Sequence, residues 1–247
     1  MHSPTQPHKT IQVPPITLKP LHLWLECIAI FGGVPLLFVF NIVPMRLLML
    51  TIIGGGLLTA FIGPRLPASA GLNLPPWSWW HASGLKQQIK PMLIGFSCSA
   101  IATALLMLAF KVLQAQAWLF LPEQIHWFAL PRQRPVLWLV IMCVYPLVSV
   151  YPQELIYRGF FCRRYETIFN TRTKMITANA VAFGWVHIIF LNPMAVILTT
   201  FGGAIFCATY LRRGSLGAAW LEHTLYGCWV FTLGFGWWFY GGSVSSG

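Results

Sequence analysis

The chain has 247 residues, of which 57% are hydrophobic and only 9% charged, with a mean hydropathy of +0.67. Soluble domains carry about a quarter charged residues, so this composition excludes a soluble globular domain and predicts a polytopic membrane protein. The formal net charge of +11 arises from 16 Lys and Arg against 5 acids; in so apolar a chain the surplus reads as a topology signal, and no nucleic-acid partner is expected.

Residues 1–22 form a polar, proline-rich stretch expected to remain as a cytoplasmic tail. A membrane span needs about 20 apolar residues. Leu23 to Val43 supplies the first, with Glu26 near its cytoplasmic end, and Leu47 to Gly63 the second, so residues 23–63 make an N-terminal transmembrane pair. The Gly54-Gly55-Gly56 run of the second span permits close helix approach. Residues 64–91 are rich in Pro and Gly and cluster Trp77, Trp79 and Trp80, the composition of an interfacial loop. Residues 92–135 contain a third span, Met92 to Phe110, and a mixed segment, Leu113 to Pro135, that suits the membrane surface.

Residues 136–240 form the main helical bundle. Val136 to Phe161 is a long fourth element in which Pro146 and Pro152 are expected to introduce kinks. The basic loop 163–174 leads into Met175 to Leu191, which carries His187 and ends at the Asn192-Pro193 turn. Met194 to Leu211 follows, with Gly202, Gly203, Ala204 and Ala208 as a small-residue packing face. Ser215 to Tyr240 carries Glu222 and His223 and finishes on Trp237, Trp238 and Tyr240, an expected aromatic anchor; residues 241–247 are a short tail.

The predicted fold class is all-α, a polytopic membrane helix bundle of seven to eight transmembrane helices, eight if the long fourth element is two passes. With the N-terminus inside and seven crossings, Lys9, Lys19, Arg65, Lys86, Lys90, Arg163, Arg164, Arg172, Lys174, Arg212 and Arg213 fall in the cytoplasm. Only Arg46, Lys111, Arg132 and Arg134 fall outside, which satisfies the positive-inside rule. The expected location is a multi-pass integral protein of a bacterial cytoplasmic (inner) membrane, with the lipid bilayer itself as a partner. The oligomeric state is open.

All five acids are glutamates (Glu26, Glu123, Glu154, Glu166 and Glu222), so aspartyl chemistry is excluded. The cysteines (Cys27, Cys98, Cys143, Cys162, Cys207, Cys228) stand singly without a CxxC pair and read as small buried hydrophobes. Glu154, Arg158, His187, Glu222 and His223 are the conspicuous ionisable groups well inside apolar helices. Intramembrane charge costs about 2.5–3.5 kcal/mol per group even on insertion scales, and such groups face the bundle interior and pair. Glu154 and Arg158, four residues apart, share one helix face. Taken singly, each residue also fits a structural role: an ion pair, an interhelical hydrogen bond, a headgroup-level polar group. Together, on three elements of a charge-poor chain, they point to one polar site.

The motifs Gln153-Glu154-x-x-x-Arg158, Phe183-Gly184-Trp185-Val186-His187 and, on a later helix, His223-Thr224-Leu225-Tyr226-Gly227 resemble, in order and interval, the EExxxR, FxxxH and HxxxN motifs of the CPBP family. That family of intramembrane proteases includes the CAAX-processing, Ras-converting enzymes and bacteriocin-immunity-type proteins. Two positions depart from the pattern: Gln153 stands for the first Glu, and Gly227 for the Asn. The resemblance implies a glutamic intramembrane endopeptidase whose substrate is a membrane-anchored protein or peptide, membrane-tethered or prenylated in type. Glu154 is expected to activate a water, His187 and His223 to polarise the attacked carbonyl or protonate the leaving amine, and Arg158 to position Glu154. Glu222 is a second candidate for the base. No cofactor is expected; zinc held by two His and a Glu is the alternative, although no HExxH is present. An inactive relative acting as a scaffold or immunity factor, and a small proton-coupled transporter, are the other function classes.

By these intervals His187 lies about 7 Å deeper in the membrane than Glu154 and His223. Tilt or uneven helix starts must absorb that offset for one site to assemble.

Overall fold

The computed structural model describes residues 20–66, 82–115 and 128–239, and among these all regular structure is helical. The expected tail at 1–19, the tryptophan cluster, the surface segment at 116–127 and the C-terminal residues from 240 lie outside the described residues. Eight helices follow in order: α1 Leu21–Val39, α2 Met45–Arg65, α3 Ala82–Ala115, α4 Ala129–Gln133, α5 Pro135–Arg164, α6 Arg172–Val186, α7 Pro193–Arg213 and α8 Leu216–Leu233.

Five of them are long and apolar enough to cross a membrane: α1, α2, the Ile89–Ala109 part of α3, α5 and α7. Their outward faces expose Leu25, Leu50, Leu57, Ile101, Leu139 and Phe201, apolar surface suited to lipid. The protein is therefore a polytopic helical membrane bundle. Helices α6 and α8 fall outside the set of five. One has only 15 residues, and both carry the polar groups of the site.

The fourth expected element does form, and as one pass, not two. It runs as a single helix of 30 residues, with π-helical turns at Pro146–Val150 and Leu155–Phe161 on either side of Tyr151–Glu154. A proline has no N–H to donate and crowds the carbonyl four residues back; the wider i→i+5 turns accommodate both prolines without breaking the helix. The π register also re-aims backbone carbonyls. That of Tyr157 accepts from Asn179 Nδ2 of α6 at 2.7 Å and from Cys162 Sγ at 3.6 Å.

Further differences from expectation have local causes. Helix α3 begins at Ala82, inside the expected loop, because Leu85 to Lys90 is a run of good helix formers. Trp238 is buried beside Leu233, Phe235, Met107 and Ala195 and so is not an interfacial anchor. Cys98 and Cys143 are exposed on outward faces, whereas Cys27, Cys162 and Cys207 are buried as expected.

Three capped starts fix the C-terminal hairpins. Asn192 Oδ1 accepts from Met194 N at 2.9 Å with Pro193 at the first helical position, Ser215 Oγ accepts from Ala218 N, and Thr171 Oγ1 accepts from Lys174 N. The packing face predicted for α7 is used at Gly203, where a Cβ would stand 3.0 Å from Phe183 Cβ and 3.1 Å from Ala180 Cα. Likewise Gly56 admits Pro152, so α2 closes on α5 immediately beside Glu154. The core between them is aromatic, with Phe31, Tyr157, Phe161, Tyr165, Phe183 and Phe206 packed together.

Candidate active site

Glu154 lies at the end of the short α-helical turn of α5, and Arg158 follows within the π turn; both side chains have no solvent exposure. Arg158 Nη1 approaches Glu154 Oε1 to 3.0 Å, and its Nη2 donates to Gly203 O at 3.3 Å. Its Nε and Nη1 make no hydrogen bond within the described residues, but the guanidinium lies 4.5 Å from the Phe183 ring and 5.4 Å from Phe206. Ring faces are thus part of what replaces water around the cation.

His223 enters from α8. Its Nδ1 is 2.8 Å from Glu154 Oε1. An ionised carboxylate only accepts, so Nδ1 carries the proton and Nε2 is left as the accepting atom of the ring. The ring stacks on Phe206 at 4.6 Å and meets the edge of Phe183 at 5.4 Å, which fixes its plane. His187 stands at the C-terminal end of α6, where Nδ1 is 2.6 Å from Phe183 O. A carbonyl also only accepts, so here too Nε2 is the free acceptor.

The helix that leads to His187 has different ends from those expected. Helix α6 starts at Arg172, three residues earlier than the sequence indicated, and stops at Val186, so His187 heads a 3₁₀ turn. Phe183 gathers the site: Arg158, His187 and His223 all pack on its ring.

A cavity of about 1450 Å³ opens onto this centre. Its wall is mostly apolar, from α1, α2, α5 and α7, and its polar groups include Tyr145, Ser149, Gln153, His187 and His223. Glu154 is not among its lining residues; it contacts His223 away from the cavity. Gln153 does reach the cavity and donates from Nε2 to Ser149 Oγ at 2.8 Å.

Of the five residues singled out from sequence, the structure joins Glu154, Arg158 and His223 directly and brings His187 to the same cavity. Glu222 is not brought in. It is buried on another side of α8, takes a hydrogen bond from Thr209 and lies in the field of Arg212 and Arg213. Sequence reasoning passed over Asn179, which shares a face of α6 with Phe183 and His187 at four-residue intervals, and Tyr145, whose hydroxyl is 3.4 Å from His223 Nε2. Among the described residues, no three His, Cys, Asp or Glu side chains are grouped to hold a metal ion.

Fold and centre together define a polytopic helical membrane protein built around a buried carboxylate, guanidinium and imidazole. Residues 133–240 match the family model described as type II CAAX prenyl endopeptidase Rce1-like, and over that stretch the CPBP resemblance of the three motifs is borne out. All five candidate residues fall within it. No match is found to a curated protein or to a solved structure.

Proposed function

We propose that the protein is an intramembrane endopeptidase that hydrolyses a peptide bond of a membrane-tethered, prenylated-type polypeptide. The observation that carries this reading is the 2.8 Å contact between Glu154 Oε1 and His223 Nδ1 of a histidine that lines the cavity, its other ring nitrogen remaining as the acceptor. The geometry favours His223 as the base, in place of Glu154 as the sequence suggested. Glu154 fixes the tautomer and plane of the imidazole and stabilises the imidazolium once it forms. Arg158 holds Glu154 in place. His223 Nε2 takes a proton from water as it attacks the scissile carbonyl, and His187 Nε2 accepts the other water hydrogen and orients it. The apolar cavity wall suits a lipid-modified or helical substrate segment.

Cleavage of farnesylated and unmodified membrane-anchored peptides by the purified protein in liposomes tests this reading. His223→Ala and Glu154→Ala are expected to lower kcat by at least about 10³-fold, as loss of a base or its partner does in hydrolases, and His187→Ala by about 10²-fold. Full activity in the Glu154 and His223 variants would sink the proposed site. Activity that survives exhaustive chelation, with no metal detected, is the expected result for a metal-free reaction. The N-in orientation in a bacterial inner membrane is proposed from the basic-residue distribution; reporter fusions at the two ends of α5 check it.

A further inference from the structure

The position four residues after His223 has no side chain, and something else occupies the space. A Cβ at Gly227 would stand 2.5 Å from Tyr145 Cε1 and closer still to its hydroxyl, so the phenol fills the volume that any other residue at 227 would use. Tyr145 comes from a different helix, α5, and is the last residue before the π turn that begins at Pro146. Its ring is held against the edge of Phe231 at 5.2 Å, and its hydroxyl lies on the cavity, 3.4 Å from His223 Nε2. Glycine at 227 and tyrosine at 145 are therefore one feature: the first makes room, and the second delivers an O–H to the ring atom assigned as the base.

We infer that Tyr145 is a catalytic residue of this site, its hydroxyl supplying the hydrogen bond that stabilises the oxyanion of the tetrahedral intermediate. This rests on the endopeptidase reading above. Before reaction Nε2 of His223 is an acceptor, so the Tyr145 O–H points at it. Water oxygen then bonds to the scissile carbon, the C=O π pair moves onto oxygen, and one water proton passes to Nε2. Nε2 has one lone pair, so the O–H turns from it to the carbonyl oxygen as the water takes its place, and it donates there as the negative charge forms. Tyr145 keeps its proton throughout. When the C–N bond breaks, the electron pair on the oxyanion re-forms the carbonyl, the leaving nitrogen takes the proton from Nε2, and the hydroxyl returns to His223. A donor that turns from base to oxyanion favours the transition state over the ground state, which is the condition for raising kcat.

The central variant is Tyr145→Phe, which keeps the ring in the space over Gly227 and removes only the hydroxyl. Its kcat for the farnesylated peptide should fall about 10²- to 10³-fold, the usual loss for one oxyanion donor, with KM changed much less. A second readout needs no turnover. Diethyl pyrocarbonate modifies an unprotonated imidazole nitrogen, and mass spectrometry should find His223 labelled several-fold faster in Tyr145→Phe once its Nε2 loses the hydroxyl.

As an independent arm, Gly227→Ala pushes on the phenol. It should lower kcat when Tyr145 is present and cost nothing further in a Tyr145→Ala background, the non-additivity of residues sharing one space. If Tyr145→Phe cleaves within about twofold of the parent, or His223 labelling is unchanged, the assignment of Tyr145 is overturned and the peptidase reading stands. If the parent protein cleaves no peptide of the set, both readings fall.

Discussion

Arg158 is costly to keep where it is. A fully buried guanidinium with two nitrogens lacking hydrogen bonds is tolerated because a carboxylate, a carbonyl and two aromatic faces surround it. Removing its partner leaves an uncompensated buried charge, a change that costs about 3–5 kcal/mol in other proteins. Glu154→Ala and Arg158→Ala should each lower the unfolding temperature in detergent markedly, while the double variant should be more stable than the two losses summed. Additive losses would mean the two groups do not act as a pair. Arg158→Lys should recover only part of the stability, since an ammonium cannot reach Glu154 and Gly203 together while lying flat on Phe183.

At the scale of elements, the site is held by the junction of α5, α6 and α7. The π turn after Glu154 exposes the Tyr157 carbonyl, and Asn179 covers it at 2.7 Å. Asn179→Leu should destabilise by about 1–3 kcal/mol, the usual penalty for stranding a buried acceptor; equilibrium unfolding measures it. Gly203 sets the distance between α6 and α7. The methyl of Gly203→Ala meets Phe183, the residue on which Arg158 and both histidines rest. That variant should therefore lose activity out of proportion to its stability, whereas Gly54→Ala, with open space around its Cβ, should change neither.

Across the whole molecule, a charged contact adds to the aromatic packing of Phe31 in tying α1 to the helix that carries Glu154. Glu26 of α1 takes a two-pronged hydrogen bond from Arg164 at the end of α5, 2.8 Å from Nε and 2.6 Å from Nη2, with the Tyr165 hydroxyl donating at 3.2 Å. The pair is partly exposed, so Glu26→Gln should cost only about 1 kcal/mol. Because α1 also walls the cavity, the clearer effect should be a raised KM for the peptide with kcat nearly unchanged.

Composition alone determined that the chain is a membrane helix bundle, because so few charges over so many apolar residues leave no soluble alternative. Spacing determined that Glu154 and Arg158 would pair, since residues four apart on a helix share a face. The order of three motifs was enough to group Glu154, His187 and His223, and the structure brings these to one centre. It could not say which of them is the base. The proposal that His223 is the base rests on which of its ring atoms meets Glu154, a matter of how α5 and α8 are rotated against each other. Glu222, one residue from His223, is carried by the helical turn to a different side, so adjacency in sequence was misleading there. Gly227 looked like a missing polar group, and only packing between distant segments puts the Tyr145 phenol in its space. Local physics sets which residues form helices and which are too polar for lipid; contacts between helices, which no single segment encodes, set which atoms meet.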